Sequence, residues 1–151
     1  MEPEVMIGMG KFGAAAAMAF AAMGSALGTG AAGMAAVGAW KKCFAQSKAA
    51  PFILVTFVGA PLSQTIYGMI LMGNIIEAVT ANPAFWPAMI GAGLFGGIAM
   101  GLSAWFQGKA GAGAADALAE TGKGFGNYLM VLGVIETVAL FVMVFIGQAI
   151  K

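Results

Sequence analysis

LMVLGVIETVALFVMVFI, residues 129–146, contains one charged residue, Glu136. The run is close to the ~20 apolar residues that a helix needs to cross the hydrocarbon core of a bilayer. Glu136 lies about seven residues from one end and ten from the other, a depth of roughly 10 Å at 1.5 Å rise per residue. An ionised carboxylate at that depth costs at least ~2.5 kcal/mol on insertion scales. A proton, a metal ion or a basic partner is therefore expected to neutralise it. Acids inside membrane spans mark ion or proton pathways, and this role is favoured over that of a tolerated polar residue facing other helices.

The rest of the chain fits that reading. Of 151 residues 61% are hydrophobic and 9% charged, against about 25% charged in a soluble domain. This composition predicts an integral, all-α membrane protein with room for four helices. The net charge of +1 gives no basic surface for nucleic acid. There is no histidine and one cysteine, Cys43, which excludes the usual zinc sites and any intrachain disulfide. Cys43 is expected to be a spectator thiol in a loop. The acidic start, MEPEV, has the wrong sign for a signal peptide, so the first apolar segment is expected to be retained.

Helices are predicted at about 10–39, 51–79, 84–119 and 126–150, forming a first hairpin over 1–79 and a second over 80–151 within one membrane domain. The first helix is nearly all glycine and alanine, with Gly24 and Gly28 a GxxxG pair extended by Ser25, Thr29, Ala32 and Ala36. The third repeats the pattern with Gly93, Gly97 and Gly101. Small residues at four-residue spacing let membrane helices approach closely, so both are expected to be enclosed by other helices. The second and fourth carry the bulky side chains that suit lipid. Pro51 suits the first position of the second helix, and residues 40–50, WKKCFAQSKAA, read as the loop before it. Pro61 lacks the N–H that the Phe57 carbonyl would receive, and it sits among Ser63, Gln64 and Tyr67. Backbone oxygens freed at such a point can serve as ion ligands when they line a buried site. Asn82-Pro83 ends the second helix.

Lys41, Lys42 and Lys48 lie between helices 1 and 2 and Lys123 between helices 3 and 4, while the central turn has none. By the positive-inside rule the lysine-bearing loops are cytoplasmic and both termini outside; Lys11 and Lys151 oppose this slightly. Both halves run in the same sense. Aligning SQTIYG with IETVAL sets Gln64 against Glu136 and Thr65 against Thr137, a parallel repeat with the acid in one half and its neutral isostere in the other.

GSALGTGAAGMAA, PLSQTIYG, FQGKAGAGAA and VIETVALF, taken together over essentially the whole chain, resemble the proteolipid rotor component (the K or c subunit) of V-type ATPases and V/A-type ATP synthases. PLSQTIYG and FQGK are similar to its sodium-translocating members. The resemblance implies a ring of identical subunits, helices 1 and 3 inside and 2 and 4 outside, turning in lipid against a stator subunit with an essential arginine. Central-stalk subunits would meet the cytoplasmic loops in a bacterial or archaeal plasma membrane. The protein would not be an enzyme on its own; rotation couples ion flow to ATP synthesis or hydrolysis elsewhere. Carried over by motif, the Na+ ligands would be Glu136, Gln64, Gln107, Ser63 and the backbone carbonyl of Ala60, with Tyr67 locking the site by a hydrogen bond to the glutamate. No organic cofactor is implied.

The chemistry is coherent without the family. A hard cation prefers oxygen ligands, and two amides, a hydroxyl, a carbonyl and a carboxylate supply five with one balancing charge. A proton requires only the carboxylate, so the buried amides favour Na+ and leave H+ as the alternative. The rival function is a small four-helix exchanger trading protons at Glu136 for a cationic drug. It would need an aromatic, substrate-sized cavity. Glu77, near the outer end of helix 2, is expected to be dispensable.

Overall fold

A computed structural model describes residues 1–151. It is all-helical, with four helices long and apolar enough to cross a membrane: α1 (Pro3–Ala45), α2 (Phe52–Ala81), α3 (Pro83–Thr121) and α4 (Phe125–Ala149). The expected all-α fold of four spans in two hairpins is the fold observed.

The helices outrun the predicted spans at most ends. α1 has 43 residues and α3, by the same reckoning, 39, or about 65 and 59 Å at 1.5 Å per residue. Both exceed the ~30 Å hydrocarbon core. This corrects two expectations. Trp40–Ala45 are helical, so the first connection is only residues 46–51. Cys43 is not a loop thiol; it lies on α1 and is 4% exposed. Lys41 and Lys42 do not end the helix: its backbone hydrogen bonds continue past them to Ala45. Pro51 stands just outside α2 in an extended conformation and accepts a hydrogen bond from Trp40 Nε1 at 2.8 Å, tying the two helices together. The turn between α2 and α3 contracts to Asn82, whose Oδ1 accepts from the Ala84 N–H at 3.2 Å. The last connection needs glycine: Gly122 and Gly124 have φ of 66° and 89°, a region that side chains with a Cβ disfavour.

α1 and α3 run parallel and form the most extensive contact in the molecule. Glycine sets how close they come. A Cβ at Gly24 would collide with the backbone of Gly101, one at Gly93 with Gly13, and one at Gly108 with Gly28; at Gly97 it would lie 2.7 Å from the Ala16 carbonyl. α2 packs antiparallel to α1, with Gly68 against Ala21 and Pro61 against Gly28. α4 closes over α2 and α3 and is the least buried span. Two apolar clusters occupy opposite halves of the bundle, one around Leu71, Ile75 and Met100 and the other around Leu54, Phe57 and Leu132. The polar centre lies between them.

Candidate functional site

Glu136 is the twelfth of the 25 residues of α4 and is half-buried. Its carboxylate faces α2 and α3. Tyr67 Oη, from α2, donates to Oε1 at 2.7 Å, and Gln107 Nε2, from α3, donates to Oε2 at 3.0 Å. Each oxygen thus has a neutral donor. No basic side chain is near: the sole ion pair in the chain joins Lys42 to Asp116 at 3.1 Å, at the exposed ends of α1 and α3. Of the three expected ways to neutralise the acid, a basic partner is not supplied by this chain.

Behind the carboxylate the network continues through two amides. Gln64 Nε2 donates to Gln107 Oε1 at 2.8 Å, and both side chains are fully buried. Gln107 Nε2 also donates to the Leu132 carbonyl at 3.0 Å. Ser63 Oγ lies 3.2 Å from both the Ala60 carbonyl and Gln64 Oε1, and its one O–H serves either. Ser63, Gln64, Tyr67, Gln107, Glu136 and the Ala60 carbonyl therefore belong to one connected cluster in the middle of the bundle. Gln107 presents its nitrogen to Glu136, and its oxygen is turned toward Gln64.

Local sequence explains this convergence. Pro61 sits in a 3-10 turn, Ala60–Leu62, that interrupts the α-helical pattern of α2 without breaking the helix. The Phe57 carbonyl, which Pro61 cannot serve, faces α3 at Gly111, where a Cβ would come within 2.9 Å of it. The tighter turn leads directly into Ser63 and Gln64. On α3, Gly101, Gly108 and Gly111 keep the neighbouring backbones close, so that Gln107 reaches both α2 and α4.

One buried hydroxyl beside the cluster escaped the sequence reading. Ser103 is 6% exposed, and its Oγ donates to the Ile135 carbonyl at 2.9 Å, fixing α4 against α3 next to Glu136. A serine in a glycine-rich helix reads as packing, and only its position one turn before Gln107 could have singled it out. Thr137 points outward and bonds the Val134 carbonyl on its own helix. Glu77 is exposed and lines a 350 Å³ cavity between the ends of α2 and α4 with Asn74, Asn82 and Lys151. That cavity does not reach Glu136, so the substrate pocket of a drug exchanger is not found there.

Residues 90–146 match the family model of the ATP synthase C subunit. The match covers a little over a third of the chain. It includes Gly93, Gly97, Gly101, Gln107 and Glu136, and leaves Ser63, Gln64 and Tyr67 outside. No curated protein matches the chain.

Proposed function

We propose that this chain is the ion-carrying subunit of the membrane rotor ring of a V-type ATPase or ATP synthase, and that each copy carries one Na+ at Glu136. The carrying observation is a mid-membrane carboxylate whose two oxygens are held by neutral donors from two other helices, with no basic side chain to neutralise it. Such a group is charged when empty and neutral when it binds a monovalent cation.

Loading follows from the two amides. Inverted together, they keep the N–H···O bond between them with donor and acceptor exchanged, and Gln107 Oε1 then faces Glu136. That oxygen, a carboxylate oxygen, Gln64 Oε1, Ser63 Oγ and the Ala60 carbonyl form an all-oxygen shell suited to a hard cation. Tyr67 keeps its bond to the other carboxylate oxygen and holds the glutamate inward. A loaded site is neutral and can turn through lipid; an empty one carries a charge that the bilayer centre opposes by at least ~2.5 kcal/mol. The empty site is therefore stable only beside a cation, the role that the resemblance gives to a stator arginine. In this reading the central stalk meets the lysine-bearing loops on the cytoplasmic side of a bacterial or archaeal plasma membrane, which the positive-inside bias of those loops supports.

Carbodiimides modify protonated carboxyl groups, so bound Na+ should shield Glu136 by excluding its proton. Shielding should strengthen as pH rises and fewer protons compete. If millimolar Na+ leaves the labelling rate of Glu136 unchanged from neutral to alkaline pH, Na+ is not the cargo and the ring carries H+.

A further inference from the structure

Two hydroxyls in the middle of α1 have no hydrogen-bond partner, Ser25 Oγ and Thr29 Oγ1. Both oxygens are closed off from the surface, and Ser25 is 2% exposed. Hydroxyls inside helices commonly bond a carbonyl one turn back. Thr80 and Thr121 do so at 2.7 Å, but these two do not. Their position is fixed by the register of α1 against α2. Ala21 meets Gly68 and Gly28 meets Pro61; the pairs are seven residues apart on each helix. Ser25 therefore falls opposite Gln64, and Thr29 opposite Ala60, both members of the polar cluster around Glu136. Gln64 has an unmet group of its own: Nε2 carries two N–H groups, and Gln107 Oε1 takes one.

We infer that Ser25 and Thr29 are positioning residues for the cation site, holding one buried water against the free N–H of Gln64. The water oxygen accepts from the amide, and its hydrogens go to the two hydroxyl oxygens, the three bonds typical of buried water. When the pair inverts for loading, Gln64 Nε2 leaves Gln107 and this water takes its N–H on the α1 side, which leaves Gln64 Oε1 to face the cation. This inference rests on the cation-carrying function proposed above and explains why an inner helix with no charge at this depth carries two hydroxyls there.

The test uses assembled rings and the Na+ concentration that half-protects Glu136 from carbodiimide. The double variant Ser25→Ala, Thr29→Val should raise that midpoint about tenfold, equivalent to ~1.4 kcal/mol. Its labelling rate without Na+ and its resistance to detergent should not change. Thr29→Ser, which keeps the hydroxyl, should stay within about twofold of the parent, on the same logarithmic scale. A double variant with the parental midpoint overturns the inference and leaves the hydroxyls as packing; a ring made more stable with no change in midpoint does the same. Should the double variant fail to assemble, Thr29→Val alone decides by the same criterion, since it exchanges a hydroxyl for a methyl at nearly constant shape. If the parent ring shows no protection at all, the cation-carrying function itself fails, and the positioning role falls with it.

Discussion

The phenolic oxygen of Tyr67 lies 2.7 Å from Glu136 Oε1, and this bond is the one link in the site made from the outer, less buried side of the bundle. Together with the Gln107 bond to Oε2, it must break before the carboxylate can swing outward. Tyr67→Phe removes the donor and keeps the ring. We expect the variant to assemble normally while Glu136 reacts with carbodiimide roughly three- to tenfold faster, the scale of one hydrogen bond to a charged group in a partly solvated site. An unchanged rate would mean that Tyr67 does not restrain the carboxylate.

Glu136→Gln nearly conserves volume and helix propensity. Its ring should form and coupled transport should vanish, read as Na+ uptake into reconstituted vesicles. Glu77→Gln should transport normally, because Glu77 is exposed and separate from the cluster. Residual transport in Glu136→Gln above the leak of empty vesicles would remove the carboxylate from the mechanism.

Close approach of α1 and α3 is the fold's least forgiving requirement. Gly101→Val places a branched side chain into the backbone of α1 at Phe20 and Gly24. Overpacking of this kind ordinarily costs about 1–3 kcal/mol, and more where backbone rather than side chain must move. We expect no detergent-resistant oligomer from this variant. Gly8→Ala, at a position where a Cβ meets nothing within 4 Å, should assemble as the parent does, or slightly better through helix propensity. Oligomer bands on a denaturing gel read both outcomes.

Sidedness is tested at the first connection, where Ala49 is exposed and Cys43 is not. In sealed right-side-out vesicles, Ala49→Cys in a Cys43→Ser background should resist a membrane-impermeant maleimide and label only after the vesicles are opened. The native Cys43 should label at least about tenfold more slowly than the introduced thiol even then, because reaction requires access as well as thiolate. Labelling of Ala49→Cys from outside would invert the topology.

Much of this was legible in residue types. An acid in the middle of an apolar run, with all basic residues elsewhere, announces itself through the cost of burying charge. Glycine at four-residue spacing announces close packing in the same direct way. Helix ends were harder. Lys41 and Lys42 read as the start of a water-facing loop, but a helix of 43 residues simply continues through them. Cys43 was misplaced for that reason. The direction of each amide in the Gln64–Gln107 pair is not encoded by residue type either, since it is set by which neighbour donates and which accepts. Ser103 shows a third limit: the same side chain serves packing or hydrogen bonding, and only the neighbouring carbonyl of Ile135 distinguishes them.

The two hairpins contribute one carboxylate between them, with Gln64 on the second helix and Glu136 on the fourth. A ring of fixed circumference built from such subunits moves half as many ions per revolution as one with an acid in every hairpin. The work of a revolution is the number of ions multiplied by the free-energy drop of each. With fewer ions per turn, each must cross a steeper gradient to drive synthesis. In the pumping direction the same hydrolysis energy, divided among fewer ions, raises each one higher. In the proposed rotor, an amide rather than an acid at residue 64 would act as a choice of gear, favouring force per ion over ions per turn.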